Sequence, residues 1–429
     1  MRWFGIVCGL FLLVVPLSCF SQRVDIDISG GSKSRVNILL LPFRGVSSLA
    51  RDPLDIVVDD LNDSGFFRVE RIKNKSINDS VNAVVDASVW KSRGFDAVVN
   101  GRVVAIHPGH YELNFAVYDV NQTRYLVNNK LALSDNKLDK VAHLISDEIY
   151  KSFLGVNGYF NSKIAYITKK NGNYELHTAD VNGKNDKTWV SLSEPLLSPK
   201  WSYGGDMLAF VSFERKKPVV KILHLADGTL STLANYDGSN SSPAWSPDGS
   251  HVLVVLTKNG VSDIYALTAS GTDLVPVIHS SSIDTEPVYS HDGKSVFFTS
   301  DRGGSPQIYR YTLSTKRTER VTFVGGYNVS PAVSSDGRYL AYVSRQEGRG
   351  YVVMLMDLSS GQFWSLTLGP NDESPSFSSN DQLIMYASNV GGKGTIHIVS
   401  LLGEERYEYK FFDSKVISPS WSSSSVVEQ

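Results

Sequence analysis

His107 and His110, flanking Pro108-Gly109, form the one close histidine pair in the chain and the first place where a metal could be held. Zinc sites take three or four protein ligands, and no third donor accompanies the pair in sequence, so it reads as a solvated turn. The two cysteines, Cys8 and Cys19, both lie in an apolar start, which leaves no candidate for thiol catalysis further along. A G-x-S-x-G nucleophile elbow is absent, and a fused α/β-hydrolase is thereby excluded. Gly30-Gly31 and Gly303-Gly304 lack the spacing and the strand–helix setting of a phosphate loop. Asp248, Asp292 and Asp336 suggest a carboxylate cluster at first sight. Each, however, precedes a glycine at the same place in a repeat, where a hairpin turn asks for Asp-Gly. No catalytic residue, metal ligand or cofactor site emerges, and the expectation is a protein that is not an enzyme.

The same repeat offers a surface for binding instead. A proline returns every 44 residues, at Pro199, Pro243, Pro287, Pro331, Pro375 and Pro419. Immediately before it stand Ser198, Ser242, Glu286, Ser330, Ser374 and Ser418, small and polar in every case but one. Two positions after it comes an apolar, mostly aromatic column, Trp201, Trp245, Tyr289, Val333, Phe377 and Trp421, read as core between repeats. A turn pair follows, and then short apolar runs such as Val252–Leu256 and Asp263–Leu267. A weaker fourth run ends the unit, as in Arg320–Phe323 and Phe363–Thr367. Four short strands at a fixed period of this length describe a propeller blade.

One period before Pro199 there is no proline–tryptophan strand, yet Ile164–Thr168, Tyr174–Asp180 and Thr188–Leu192 continue the pattern. Pro419-Ser420-Trp421 supplies the missing first strand. The expected fold is therefore an α/β N-terminal domain followed by an all-β six-bladed β-propeller, with ring closure by the C-terminal strand that leaves no bare sheet edges. In such a ring the loops entering the innermost strands meet at the channel mouth. Asn240, Asp284, Thr285, Asn328, Asp372 and Glu373 are expected to make that mouth a polar to acidic docking rim.

Upstream, the elements that position this ring lack the period. Met1-Arg2 and the apolar Trp3–Leu17 read as a secretory signal peptide, too short for a spanning helix. Small residues at Cys19 and Ser21 place its end near residue 21, with lipidation of Cys19 as the alternative. Residues 22–152 alternate α and β: a strand Val36–Phe43, a helix from Asp52-Pro53 to Gly65, a strand Phe66–Val69, and a helix before Gly94. A strand Asp96–Ile106, a hairpin of Tyr111–Asp119 with Arg124–Leu133, and a helix Leu138–Phe153 follow. The propeller is assigned to 155–422. A formal net charge of −2 gives no basic footprint for nucleic acid.

The Pro243-Ala244-Trp245-Ser246-Pro247-Asp248-Gly249 repeat, Ser300–Tyr309, Ile164-Ala165-Tyr166, Ala142-His143 and Asp59–Phe67 together resemble the TolB family, over essentially the whole mature chain. That resemblance implies a non-enzymatic periplasmic scaffold of the Tol–Pal envelope system, supporting outer-membrane integrity and invagination during cell division. It is expected to be monomeric without partners and to have no cofactor. The resemblance implies that the lipoprotein Pal binds at the channel mouth through Ser239, Ser242, Thr285 and Glu286. It also implies that TolA engages the N-terminal segment Arg23, Val24, Asp25, Ile26, Asp27, Ile28 and Ser29. The alternating pattern of that segment suits a strand added to another sheet's edge, or one folded back on its own protein. Glu286→Ala is expected to weaken Pal without lowering the melting temperature. A propeller enzyme and a small-ligand sensor, each acting on an envelope component, are the competing classes.

Overall fold

The structure, a computed structural model, describes residues 35–45, 49, 51–72, 87–258, 260–411 and 414–422. The predicted signal peptide, both cysteines and the segment Arg23–Ser29 lie outside the described residues. The N-terminal domain is a five-stranded sheet of β1 (Val36–Leu40), β2 (Phe67–Arg71), β3 (Ala97–His107), β4 (His110–Asp119) and β5 (Arg124–Ser134). Their order is β2-β1-β3-β4-β5. β1 runs parallel to β2 and β3, and β3 to β5 form an antiparallel meander. The continuous apolar run of β1 follows from burial on both faces. Ile38 and Leu40 face helices α1 (Leu54–Asp63) and α3 (Leu138–Leu154), whereas Leu39 and Leu41 face Trp90 of α2 (Ala87–Ser92). α3 ends where Gly155 takes φ 73°, a left-handed cap that glycine adopts at little cost.

The remainder is a ring of six four-stranded sheets, a propeller arrangement. Blades 2 to 6 begin at Leu196–Trp201, Ser239–Trp245, Asp284–Tyr289, Asn328–Val333 and Asp372–Phe377, and each runs outward in chain order. Blade 1 joins Lys415–Trp421 to Lys163–Lys170, Asn173–Asp180 and Lys187–Leu192, with Trp421 opposite Ile164. The expectation of ring closure by the C-terminal strand needs correction. No sheet closes on itself by hydrogen bonds; all six are separate, and each keeps two edge strands. Lys415–Trp421 completes one sheet, while adjacent blades meet through side chains.

Those side chains include the aromatic column. Trp201 donates its indole N–H to the Ser420 carbonyl of blade 1 at 3.0 Å, and Trp245 donates to the Lys200 carbonyl of blade 2 at 3.1 Å. The Asp-Gly pairs form turns as predicted. Asp248 Oδ1 accepts the Ser250 backbone N–H at 3.0 Å and the Ser246 hydroxyl at 2.5 Å, and Gly249 has φ 71°. The fourth strands are shorter or earlier than the sequence suggests, at Arg317–Arg320 and Phe363–Ser365. In both blades a threonine hydroxyl replaces the next ladder bond: Thr322 accepts from Ile308 N–H and Thr367 from Val353 N–H, each at 3.0 Å. The chain leaves the sheet there.

The two domains share one core. Tyr150 of α3 packs edge-on against Tyr159 and Phe160, and Tyr159 against Trp421 of blade 1. Beside this core lies a buried polar cluster. His143 Nδ1 stands 2.8 Å from Asp60 Oδ2, Ser146 donates to the same oxygen at 2.8 Å, and Asp180 of blade 1 lies 3.9 Å from His143 Nε2 while pairing with Lys163. Burial alone would push the imidazole down, but hydrogen bonds and charge from Asp180 and Asp60 hold its pKa up at about 9.

A histidine raised from 6.5 to about 9 on folding stabilises the folded state fully below pH 6.5 and loses that contribution as pH rises through 9. Urea midpoints measured at pH 6, 7.5 and 9 should therefore fall across this window, and His143→Gln should flatten the fall. An equal slope in the variant would assign it to other groups.

Candidate functional site

The six first strands surround a central cavity of about 290 Å³. Two rings of side chains line it, and both are set by the proline repeat. The first comprises the residues before proline, Ser198, Ser242, Glu286, Ser330, Ser374 and Ser418. All six adopt φ between 48° and 57°, a left-handed backbone that is unfavourable for non-glycine residues and is not the extended state usual before proline. The pairing register shifts at the same place in blade after blade, for example between Ser241 and Ala244 and between Thr285 and Val288. A β-bulge thus recurs in every first strand. Short polar side chains suit this backbone, and the serine column follows from it.

Glu286 is the exception, and its carboxylate is fully engaged. It accepts from Thr299 Oγ1, from the Ser330 backbone N–H and from Ser330 Oγ, each at 2.8 Å. It therefore ties blade 4 to blade 5. The second ring holds the residues after proline, Lys200, Ala244, Val288, Ala332, Ser376 and Ser420. Lys200 was not singled out from the sequence, although the signal was there: five members of that column are small or apolar and one is a lysine. Burial pushes its ammonium pKa down, and the Glu286 charge opposes that.

Of the residues implicated in Pal binding, Ser242 and Glu286 line the cavity together. Ser239 and Thr285 do not line it; they sit at the entering ends of their first strands, which are neighbours in the ring. The cavity extends toward the opposite, turn-bearing end, where Tyr203, His291 and Ser379 line it.

The expected acidic rim is corrected in part. Asn240, Asp284, Asn328 and Asp372 are buried and committed to their own loops. Asn240 Oδ1 accepts from Tyr236 N–H at 2.8 Å, Asp284 accepts from Ser280 Oγ at 2.8 Å and pairs with Arg302 at 2.7 Å, Asn328 Nδ2 donates to the Val324 carbonyl at 2.8 Å, and Asp372 accepts from Gly369 N–H at 3.0 Å. A polar side chain in this column staples the incoming loop to its strand. What the loops expose instead is apolar: Phe323 is 71% exposed, Val324 58% and Leu368 80%, and Ile283 in the blade 3–4 loop is exposed as well. The sequence reading had placed Phe323 inside a strand.

His107 and His110 are exposed at the β3–β4 hairpin. Among the described residues no group of three or more His, Cys, Asp or Glu could hold a metal ion.

A small α/β domain joined to a six-sheet propeller with bulged, proline-marked inner strands defines the class of protein. Family models described as "TolB beta propeller domain" and "TolB amino-terminal domain" match residues 150–425 and 24–126. The crystal structure of TolB from Acinetobacter baumannii is similar with a TM-score of 0.82 at 34% identity, covering 91% of this chain and 97% of that one. The Tol-Pal system protein TolB of Dechloromonas aromatica is 40% identical over 231 residues, 54% of each chain. That of Bordetella avium is 35% identical over 273 residues, 63% of this chain and 62% of its own. The chain thus spans about half the length of the first curated relatives it matches. A chain of a nidogen–laminin complex, 10% identical with a TM-score of 0.51, shares the fold alone. The chain belongs to the TolB family and is a periplasmic protein.

Removing the Glu286 carboxylate leaves a constrained backbone N–H and two hydroxyls without their acceptor. Glu286→Ala should therefore lower stability by about 1–3 kcal/mol, contrary to the expectation from sequence. A chemical denaturation curve superimposable on that of the unaltered protein would contradict this.

Proposed function

We propose that this chain is a non-enzymatic scaffold of the Tol–Pal system that docks Pal on the entering-loop face of its propeller. The observation that carries the reading is the apolar crest of Phe323, Val324 and Leu368 on the loops into blades 5 and 6. Exposed aliphatic and aromatic side chains next to polar strand ends have the make-up of a docking patch, with an apolar centre and a polar rim. Thr285 lies at the entering strand end of blade 4 and Ser239 at that of blade 3, further round the ring, with Glu286 and Ser242 one step inside the channel. Glu286 contributes chiefly by fixing the blade 4–blade 5 backbone beneath the patch. Its relatives from Dechloromonas aromatica and Bordetella avium are Tol-Pal system proteins, which supports the same assignment.

The N-terminal segment Arg23–Ser29 engages TolA in this reading, following a signal peptide over 1–21. The α/β domain over 22–152 carries that segment, and 155–422 forms the docking body. Pal and TolA then occupy separate sites, and any coupling between them is reciprocal in affinity. Through both contacts the protein supports outer-membrane integrity and invagination at division.

Phe323→Ser combined with Leu368→Ser should weaken Pal roughly tenfold or more, as loss of central apolar contacts does, with the melting temperature little changed because both side chains are exposed. An unaltered dissociation constant in calorimetry would remove the crest from the interface. Deleting residues 23–29 should abolish TolA binding and change Pal affinity by no more than ordinary coupling, roughly 5–150-fold. Loss of both partners in a folded protein would contradict separate sites.

A further inference from the structure

Among the described residues the channel holds one lysine or arginine, Lys200, whose chemistry is not used by anything described so far. Lys200 projects from the first strand of blade 2 into the cavity, at a ring position where the other five blades carry alanine, valine or serine. Among the described residues its ammonium makes no hydrogen bond and no ion pair; Glu286 acts on it only as a more distant charge. Glu286 is meanwhile occupied by Thr299 and Ser330, and Asp381, the other carboxylate lining the cavity, accepts from the Ser335 and Asp336 backbone N–H groups at 2.8 and 3.1 Å.

The hydroxyl groups of Ser198, Ser242, Ser374 and Ser418 face the same space, and none has a hydrogen-bond partner among the described residues. A charge removed from bulk water is retained in proteins when it is paired. The donors not already engaged are thus an ammonium and a set of rotatable hydroxyls, while the carboxylates present are tied to neighbouring blades. That inventory accepts an anion, and a carboxylate matches it: one oxygen for the ammonium and the other for serine hydroxyls.

We propose that the propeller channel is a carboxylate-binding site centred on Lys200, with pre-proline serines as the auxiliary donors. The carboxylate belongs either to a small free acid or to an acidic side chain that a docked partner inserts. The site stands independently of where Pal's main contact lies. Its open end carries Tyr203 and His291, exposed at the turn-bearing face, as the approach for a free acid.

The test titrates the mature chain with sodium acetate and sodium succinate against sodium chloride at constant ionic strength, following Trp fluorescence and the thermal midpoint. Trp201 and Trp245 line the cavity and report on it. A saturable response to the carboxylates is expected, weakened roughly tenfold or more in Lys200→Met, as loss of a charge-assisted bond requires. Lys200→Arg should retain it, and unchanged circular dichroism of each variant confirms folding. Competition between acetate and Pal for the unaltered protein would assign the carboxylate to the partner. Acetate binding that leaves Pal affinity unchanged would assign it to a free acid. The absence of a saturable response, or an equal response in Lys200→Met, would overturn the proposal.

Discussion

Six separate sheets, joined by only isolated backbone bonds such as Asn328 N–H to the Pro306 carbonyl at 2.9 Å, must be held together mainly by side chains, and the geometry of the innermost strands decides whether they can be. In each blade the residue before proline is forced into a left-handed conformation at a bulge. Such a backbone persists only where its surroundings over-determine it. Here the surroundings are the next blade: Glu286 reaches Ser330, Asp381 reaches Ser335 and Asp336, and indoles reach carbonyls one blade away. Strain within the strand and bonding between blades are thus two aspects of one arrangement.

The domain junction rests on a different balance. Apolar packing through Tyr150, Tyr159, Phe160 and Trp421 provides the bulk of the contact, and aromatic edges meet faces there. The buried group of His143, Asp60, Asp180 and Lys163 adds little net stability on general grounds, because taking charges out of water offsets their attraction. Such a group defines how two bodies sit, since a shift would leave one of its members unpaired. Its residues come from α1, α3 and blade 1, and it therefore fixes the side of the propeller on which the α/β domain lies. That side also carries the inter-strand turns, as the Asn380–Asn157 bond shows. Among the described residues, these contacts of the α/β domain fall at the turn-bearing end and not at the entering-loop face.

Much of the architecture was legible because period, proline and turn chemistry all encode it. Pro243, Trp245 and Asp248-Gly249 fix a strand and its turn without reference to anything distant. The N-terminal order was legible from apolar runs and a helix stop at Gly65, whereas the left-handed cap at Gly155 emerged only in the structure. Features set by tertiary context were not. Nothing local states that the ring stays unclosed by hydrogen bonds once residues 415–421 pair with 163–170 as the period predicts, or that Thr322 takes over a ladder bond and releases Phe323 into solvent. The rim carboxylates looked available because sequence gives their charge and not their partners: Asp284 is exposed in character but buried under Arg302. Lys200 was not legible because the column after proline varies among alanine, valine and serine, so one lysine stands out there less than Glu286 does among five serines.

The resulting molecule has a division of labour that follows from its two ends. Turns and the α/β domain occupy one end of the ring, whereas entering loops with Phe323, Val324 and Leu368 occupy the other, above a channel whose walls carry the Glu286 and Asp381 carboxylates and the Lys200 ammonium. The most direct measurement of this account is hydrogen exchange on the mature chain with and without Pal. Protection concentrated in the loops 279–285, 321–328 and 366–372 is the predicted result. Protection centred instead on the turns 202–206 and 290–294, with the entering loops unaffected, would contradict it.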